Sequence, residues 1–259
     1  RELIILDSSD PATLREISRT RFSSRFRGLS AKGTYVYTTR ASGSDKFIEV
    51  IDASNELAPV IGSTVNLPGT GFVTQIHGER LYVGGSMYLS IFSLADPANP
   101  TLLSTIPGNT TLDDFTVSGN YLYLGNARDD VVYIYDITDP TSPQQLNSIP
   151  FANPYGIAVS NTTMFVTNYS TGLAVYDVSD PAAPVLLYSD SVLRAGRLQI
   201  EYPILFVQIA EGRNNSLEAY DFSDPANPVL VWSETQGSSF IRTLVLQDRI
   251  LYTQKNTEI

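Results

Sequence analysis

Residues 173–187 read LAVYDVSDPAAPVLL: an apolar strand ending on Asp177, a turn through Asp180 and Pro181, and a second strand. The phrase returns as VYIYDITDPTSPQQL from Val132, LEAYDFSDPANPVLV from Leu217 and LSIFSLADPANPTLL from Leu89. Looser copies are LIILDSSDPATL from Leu3 and FIEVIDASNELAPVIG from Phe47. The acid closing the strand is Asp7, Asp52, Asp136, Asp177 or Asp221, with Ser93 in its place once, at steps of 45, 41, 43, 41 and 44. Self-similarity at such a period marks a solenoid, a propeller or an array.

A second column lies about thirty residues further along each copy, in TYVYTT, RLYVGG, YLYLGN, TMFVTN, ILFVQI and RILYTQ. Its aromatics are Tyr37, Tyr82, Tyr123, Phe165, Phe206 and Tyr252. Each period has room for four short strands and their turns, one blade of a β-propeller. Running the last residue into the first gives a step of 45 from Asp221 to Asp7, inside the observed range, so six whole repeats are present. The expectation is an all-β, six-bladed β-propeller of four-stranded antiparallel blades, one domain over residues 1–259. Its last blade is shared between residues 242–259 and 1–20, the N-terminal strands completing it and removing open sheet edges.

The phrases around Asp136, Asp177 and Asp221 resemble the LVIVD repeat, a propeller repeat of bacterial and archaeal surface and secreted proteins. The likeness runs along essentially the whole chain and thins where Ser54-Asn55-Glu56 replaces the Asp-Pro turn. It implies an extracellular, periplasmic or cell-surface habitat. It implies no reaction, because the family shares no catalytic motif.

Composition narrows the function classes. The net charge of −10 argues against nucleic acid, whose phosphates call for a basic face. No cysteine is present, which removes disulfides, thiolate metal sites and cysteine nucleophiles. No apolar run is long enough for a transmembrane helix, so membrane insertion by this chain is not expected. His77 is the only histidine, and it falls in a hairpin expected beside the Asp-Pro turns, which leaves a Ser–His–Asp triad or a histidine metal site poorly supplied.

The Asp-Pro turns carry Asp10, Asp96, Asp139, Asp180 and Asp224. Asp at the first turn position accepts from backbone N–H groups two residues on, and Pro next fixes φ, so the repeated motif reads as scaffolding. Ligands are then expected at the opposite, funnel face, among the irregular loops.

Three groups of residues stand out there. Arg21, Arg25 and Arg27 belong to a segment that, with Arg1, Arg15 and Arg19, holds six of the 17 basic residues in the first 27 positions. Arg194, Arg197 and Arg213 should reach the same face. Guanidinium forks take carboxylate, sulfate or phosphate in bidentate fashion, though such arginines also pair with an acidic protein body. Tyr88, Tyr155 and Tyr169 are placed near the rim, where rings stack on sugars. Asp113 and Asp114 precede an inner strand and Asp129 and Asp130 follow its neighbour, so four carboxylates converge as a candidate calcium site.

The reading that follows is a non-catalytic extracellular or surface module, a monomeric domain or part of a longer chain. Its partner is an acidic glycan, a peptide or another protein, held on the funnel face. The alternatives are a polysaccharide hydrolase or lyase using funnel acids, arginines and tyrosines, and a rigid spacer in a larger surface protein. Asn-x-Ser/Thr triplets at Asn109, Asn161, Asn168 and Asn214 carry no weight in it.

Overall fold

The computed structural model describes residues 2–7, 15–21, 26–42, 45–111, 114–210, 215–237, 241–247 and 250–255. Every regular element among them is a β-strand. A first hairpin pairs β1 (Glu2–Asp7) with β2 (Arg15–Arg21). A four-stranded antiparallel blade follows, of β3 (Phe26–Lys32), β4 (Tyr35–Ser42), β5 (Asp45–Asp52) and β6 (Val60–Asn66). The next blade has β7 (Gly71–His77), β8 (Arg80–Ser93) and β9 (Thr101–Thr111).

Three further four-stranded blades come next. They are β10 (Phe115–Ser118) to β13 (Gln144–Pro150) through β11 (Tyr121–Asn126) and β12 (Val131–Asp136); β14 (Gly156–Ser160), β15 (Thr163–Asn168), β16 (Gly172–Asp177) and β17 (Val185–Asp190); and β18 (Ala195–Glu201), β19 (Ile204–Ile209), β20 (Asn215–Asp221) and β21 (Val229–Gly237). A last hairpin pairs β22 (Ile241–Gln247) with β23 (Ile250–Lys255). The strands run in chain order across each sheet, as the blades of a β-propeller do.

The chain divides into two compact units. One is Arg1–Leu112 with Pro140–Ser142, the other Asp113–Asp139 with Pro143–Ile259. In the first, β3 packs beside β7; in the second, β10, β14, β18 and β22 pack in succession. Within each unit the first strand of one blade therefore faces the first strand of the next.

The long β8 is two strands in one. Met87 sits at φ 66° in its middle, and Leu94 N–H donates to the Glu79 carbonyl at 2.9 Å. The same bond closes strands two and three in other blades, from Ala53 to Thr34, Ile137 to Asn120, Val178 to Thr162 and Phe222 to Pro203. The arms of β8 thus serve as second and third strands of a regular blade.

The cores lie between neighbouring blades. Tyr37, Tyr82, Tyr123 and Phe165 of the aromatic column are almost fully buried, as are Leu94, Ile137 and Phe222 just after the marker position. Phe165 meets Phe222 of the next blade edge-on at 4.9 Å. One buried cluster joins Tyr37, Val50, Leu81 and Phe92 from two blades. Others join Phe165 with Leu205 and Phe222, and Tyr123 with Ile157 and Met164. Period-two patterning buries one face of each sheet against its neighbour, and such burial contributes roughly 1.5–3 kcal/mol per large apolar side chain.

The turns after the marker acids are built as scaffolding. Oδ1 of Asp52, Asp136, Asp177 and Asp221 accepts the N–H two residues on, at 2.7–2.8 Å. Ser93, the one lapse in the column, accepts from Ala95 N–H with its hydroxyl oxygen at 3.2 Å. Asp96, Asp180 and Asp224 repeat the bond at the Asp-Pro step, and Asn55 does so where that step is missing.

Each repeat also carries a register shift between its third and fourth strands, just before the marker position. In five of them the outer strand gains a residue: Ile17, Leu103, Leu146, Leu187 or Val231. A bulge bends the strand and re-aims the next side chain. That side chain is the outer strand's link to the following blade. Ser18 donates to the Glu56 carbonyl at 2.5 Å, Ser63 to Ala98 at 2.5 Å and Ser104 to Pro140 at 2.6 Å; the Asn147 amide donates to Ala182 at 2.8 Å. The same position holds Tyr188, whose ring lies 6.5 Å from Phe222, and Trp232.

Among the described residues one ion pair is buried. Glu49 on β5 is 2% exposed and meets Arg40 Nη1 on β4 at 2.6 Å, with that guanidinium 4.3 Å from the Phe47 ring centroid. Burial pushes the Glu49 carboxyl up, and Arg40 pulls it back down.

Candidate functional site

Each blade has two unlike ends. The repeated turns gather at one, where His77 also closes its hairpin beside Gly78. The blade-to-blade connections and the loops between strands two and three lie at the other. There the first strands begin irregularly, with register shifts at Phe26/Leu29, Gly71/Val73 and Ala195/Leu198. Residues in such shifts leave the ladder and their side chains are re-aimed; Arg27 and Arg197 are exposed there and Phe72 is half-buried.

The best-formed cluster is in the second unit. Exposed Arg197, inside the shift of β18, holds its guanidinium 5.5 Å from the ring centroid of half-buried Tyr155, just ahead of β14. Tyr155 packs against Tyr169 at 4.9 Å with the rings tilted by 50°. Tyr155 N–H donates to the Thr167 carbonyl at 2.9 Å. The Thr167 hydroxyl donates to the Gly196 carbonyl at 2.5 Å, tying β15 to the start of β18. A Cβ at Gly196 would run into the Tyr169 ring, so glycine is what lets that ring lie against β18. Burial and then Tyr155 push the Tyr169 hydroxyl up, against the pull of Arg197, so that ring stays neutral near the cation. A guanidinium stacked on an aromatic face keeps its N–H edges free for a bidentate partner.

The other sequence-selected residues divide. Arg194 is exposed at the same end of the blade, its carbonyl accepting from Ala210 N–H at 2.9 Å. Arg27 lies over the Phe72 ring at 4.7 Å. Arg21 is engaged within its own hairpin, its Nε 2.8 Å from Glu2 Oε1; Arg19 pairs with Glu2 and Glu16, each at 2.6 Å. Those two arginines hold the Glu2 carboxyl down at about 2. Tyr88 is not on a rim. It is 3% exposed, and its hydroxyl donates to the Gly69 carbonyl at 2.9 Å, because β8 folds back at Met87 and turns the ring inward. Arg25, Arg213 and Asp113 lie outside the described residues.

The described aspartates of the acidic candidate each have hydrogen-bond partners of their own. Asp114 accepts from Phe115 N–H and Ile157 N–H, both at 3.0 Å. Asp129 accepts from Asn126 and from the Tyr133 hydroxyl, at 3.0 and 2.9 Å, and Asp130 from Asn153 N–H at 2.8 Å. Asp129 is bound within its own loop, whereas Asp114 and Asp130 hold N–H groups of Ile157 on β14 and of Asn153 ahead of it, and among the described residues no three acids or histidines gather as metal ligands would.

Solved structures with the same fold are distant in sequence. A protein from Lactobacillus plantarum superposes with a TM-score of 0.76 at 14% identity, over 95% of this chain and 81% of that one. A chain of the mitotic checkpoint complex gives 0.73 at 14%, over 95% and 76%. A functionally unknown protein from Desulfotomaculum acetoxidans gives 0.71 at 13%, over 90% and 75%. At such identities the likeness is one of fold. No curated protein matches the chain. The LVIVD repeat matches residues 111–149 and 155–190, two consecutive blades with the Asp136 and Asp177 turns inside them, so the chain carries LVIVD repeats within a β-propeller fold.

Proposed function

We propose that this protein is a non-catalytic binding module, placed outside the cytoplasm, that recognises a carboxylate-bearing glycan through Arg197, Tyr155 and Tyr169. The observation that carries the reading is the exposed Arg197 guanidinium stacked on a half-buried ring. The extracytoplasmic habitat rests on the resemblance to surface and secreted LVIVD-repeat proteins, and a cysteine-free chain suits it as well as any other. Neither the described carboxylates nor His77 stands within a constellation that would move a proton at this site.

Titration of trigalacturonate and of a neutral trisaccharide, followed by NMR or calorimetry, tests the reading. Arg197→Ala is expected to weaken trigalacturonate at least tenfold, since a hydrogen bond to a charged group contributes about 1.5–3 kcal/mol. The neutral sugar should bind more weakly and indifferently to the substitution. Equal binding of trigalacturonate by wild type and R197A overturns the assignment.

A further inference from the structure

The frame beneath Tyr155 and Arg197 occurs a second time, in the other unit. Thr39 stands two residues after buried Tyr37, as Thr167 stands two after buried Phe165. The Thr39 hydroxyl donates to the Gly71 carbonyl at 3.0 Å and accepts from Gly28 N–H at 3.0 Å. The Thr167 hydroxyl donates to the Gly196 carbonyl at 2.5 Å and lies 3.3 Å from that of Gly156. A Cβ would be 2.7 Å from Thr74 at Gly28, from Thr39 at Gly71 and from Thr167 at Gly156. Both frames therefore need glycine on either side of a buried threonine.

What the frames hold is the same pair with the roles exchanged. Ahead of the first glycine stands Arg27 in one and Tyr155 in the other; after the second stands Phe72 in one and Arg197 in the other. Each frame brings a cation over a ring, at 4.7 Å for Arg27 on Phe72 and 5.5 Å for Arg197 on Tyr155. The chain is strongly acidic, and Arg15, Arg19, Arg21, Lys32 and Arg40 all have carboxylate partners. Among the described residues no carboxylate comes within ion-pair distance of Arg27 or Arg197. These two exposed arginines, stacked on rings and with no carboxylate partner among the described residues, are open to an acid from outside.

We propose that Arg27 and Phe72 form a second carboxylate subsite of the same chemistry as Arg197 and Tyr155, so that one chain takes an acidic oligosaccharide at two places, one in each unit. This rests on the reading of Arg197 and Tyr155 as a binding site. A pyranose uronate is the class that fits. Its carboxylate is fixed to a rigid ring whose C–H surface can lie beside the aromatic edge, whereas a glutamate side chain must freeze its rotors to bind. Phe72 offers no hydroxyl, so the chemistry common to both subsites is the guanidinium fork plus an apolar ring.

Trigalacturonate titrated into isotope-labelled protein, with stoichiometry from calorimetry, decides the matter. Wild type is expected to bind two equivalents, R27A one, R197A one, and the double variant none, with melting temperatures unchanged because both arginines are exposed. One equivalent in wild type that R27A leaves intact removes the second subsite and spares the first. Two equivalents retained by R197A, or none in wild type, removes the reading beneath both. Hexaglutamate filling the sites where trigalacturonate does not overturns the sugar class in favour of an acidic peptide.

Discussion

Replacing Arg40 with methionine isolates the buried charge on Glu49. The substitution keeps the aliphatic stem and removes the cation 2.6 Å from a carboxylate that is 2% exposed. At an effective dielectric of about 20, a pair at that distance interacts by about 6 kcal/mol. The loss need not reach that figure, because the orphaned carboxylate can take up a proton instead. Starting from the ordinary value of 4.5, protonation at pH 7 costs about 3.4 kcal/mol, at about 1.36 kcal/mol per unit. Proton uptake is the lower route and sets the ceiling.

The sign of the pH dependence follows. Burial already raises the Glu49 carboxyl in the folded protein, and removing Arg40 raises it further. A raised acid contributes most below its unfolded value and loses ground as pH rises through the folded one. The R40M penalty should therefore be small near pH 4.5 and grow by up to about 1.4 kcal/mol per unit, towards about 3 kcal/mol at pH 7. Urea unfolding at pH 4.5, 5.5 and 7 measures it. Adding Glu49→Gln to R40M should abolish the pH dependence. A loss that is the same at all three values, or under about 1 kcal/mol at pH 7, refutes the reasoning.

Gly196→Ala drives a methyl group into Tyr169, and the pair of tyrosines must shift; overpacking of this kind costs about 1–3 kcal/mol. We expect a lower melting temperature together with weakened trigalacturonate binding although Arg197 is intact, and no change in either would show that Tyr169 does not position the site. Asp221 is held below its ordinary 3.8 by the Ser223 hydroxyl and then its N–H, so its contribution is present above that value and lost as pH falls through the folded one. Asp221→Asn should therefore narrow its melting-temperature deficit against wild type only below about pH 4, and a deficit that is constant from pH 2 to pH 6 contradicts that cause.

The sequence made the blades legible because period and patterning are properties of single strands. The aromatic column, the marker acids and the Asp-Pro turns can all be counted along the chain. The register shifts cannot. Leu146 and Leu187 look like any other strand residue, and the shift appears only once a partner strand is laid beside them. Ser93 looked like a lapse until its hydroxyl was seen accepting the bond the acids accept. Tyr88 misled for a related reason, since Gly84 and Gly85 announce a return in β8 but not that the chain turns on Met87 at φ 66° and carries the Tyr88 ring inward.

The candidate site was legible in part. Arg27, Arg197, Tyr155 and Tyr169 stand out in the sequence as irregular residues at the end of the blades opposite the repeated turns. Arg21 stood out equally and is spent on Glu2, a pairing that depends on the cross-strand register of β1 and β2. Phe72 was passed over because an aromatic residue in FVTQIH reads as core, and only the shift at Gly71 brings it beside Arg27.

The link formed by Ser18, Ser63, Ser104 and Asn147 gives four of the repeats a plug on the outer strand that meets a socket on the next repeat's turn. A segment cut at equivalent points carries one of each, so copies can be joined head to tail without inventing a new seam. The socket is a backbone carbonyl and is indifferent to the turn's side chains, which is why Glu56 serves as well as Ala98. Drift in the turns therefore leaves the seam intact, and lengthening such a chain by duplication asks nothing of its neighbours.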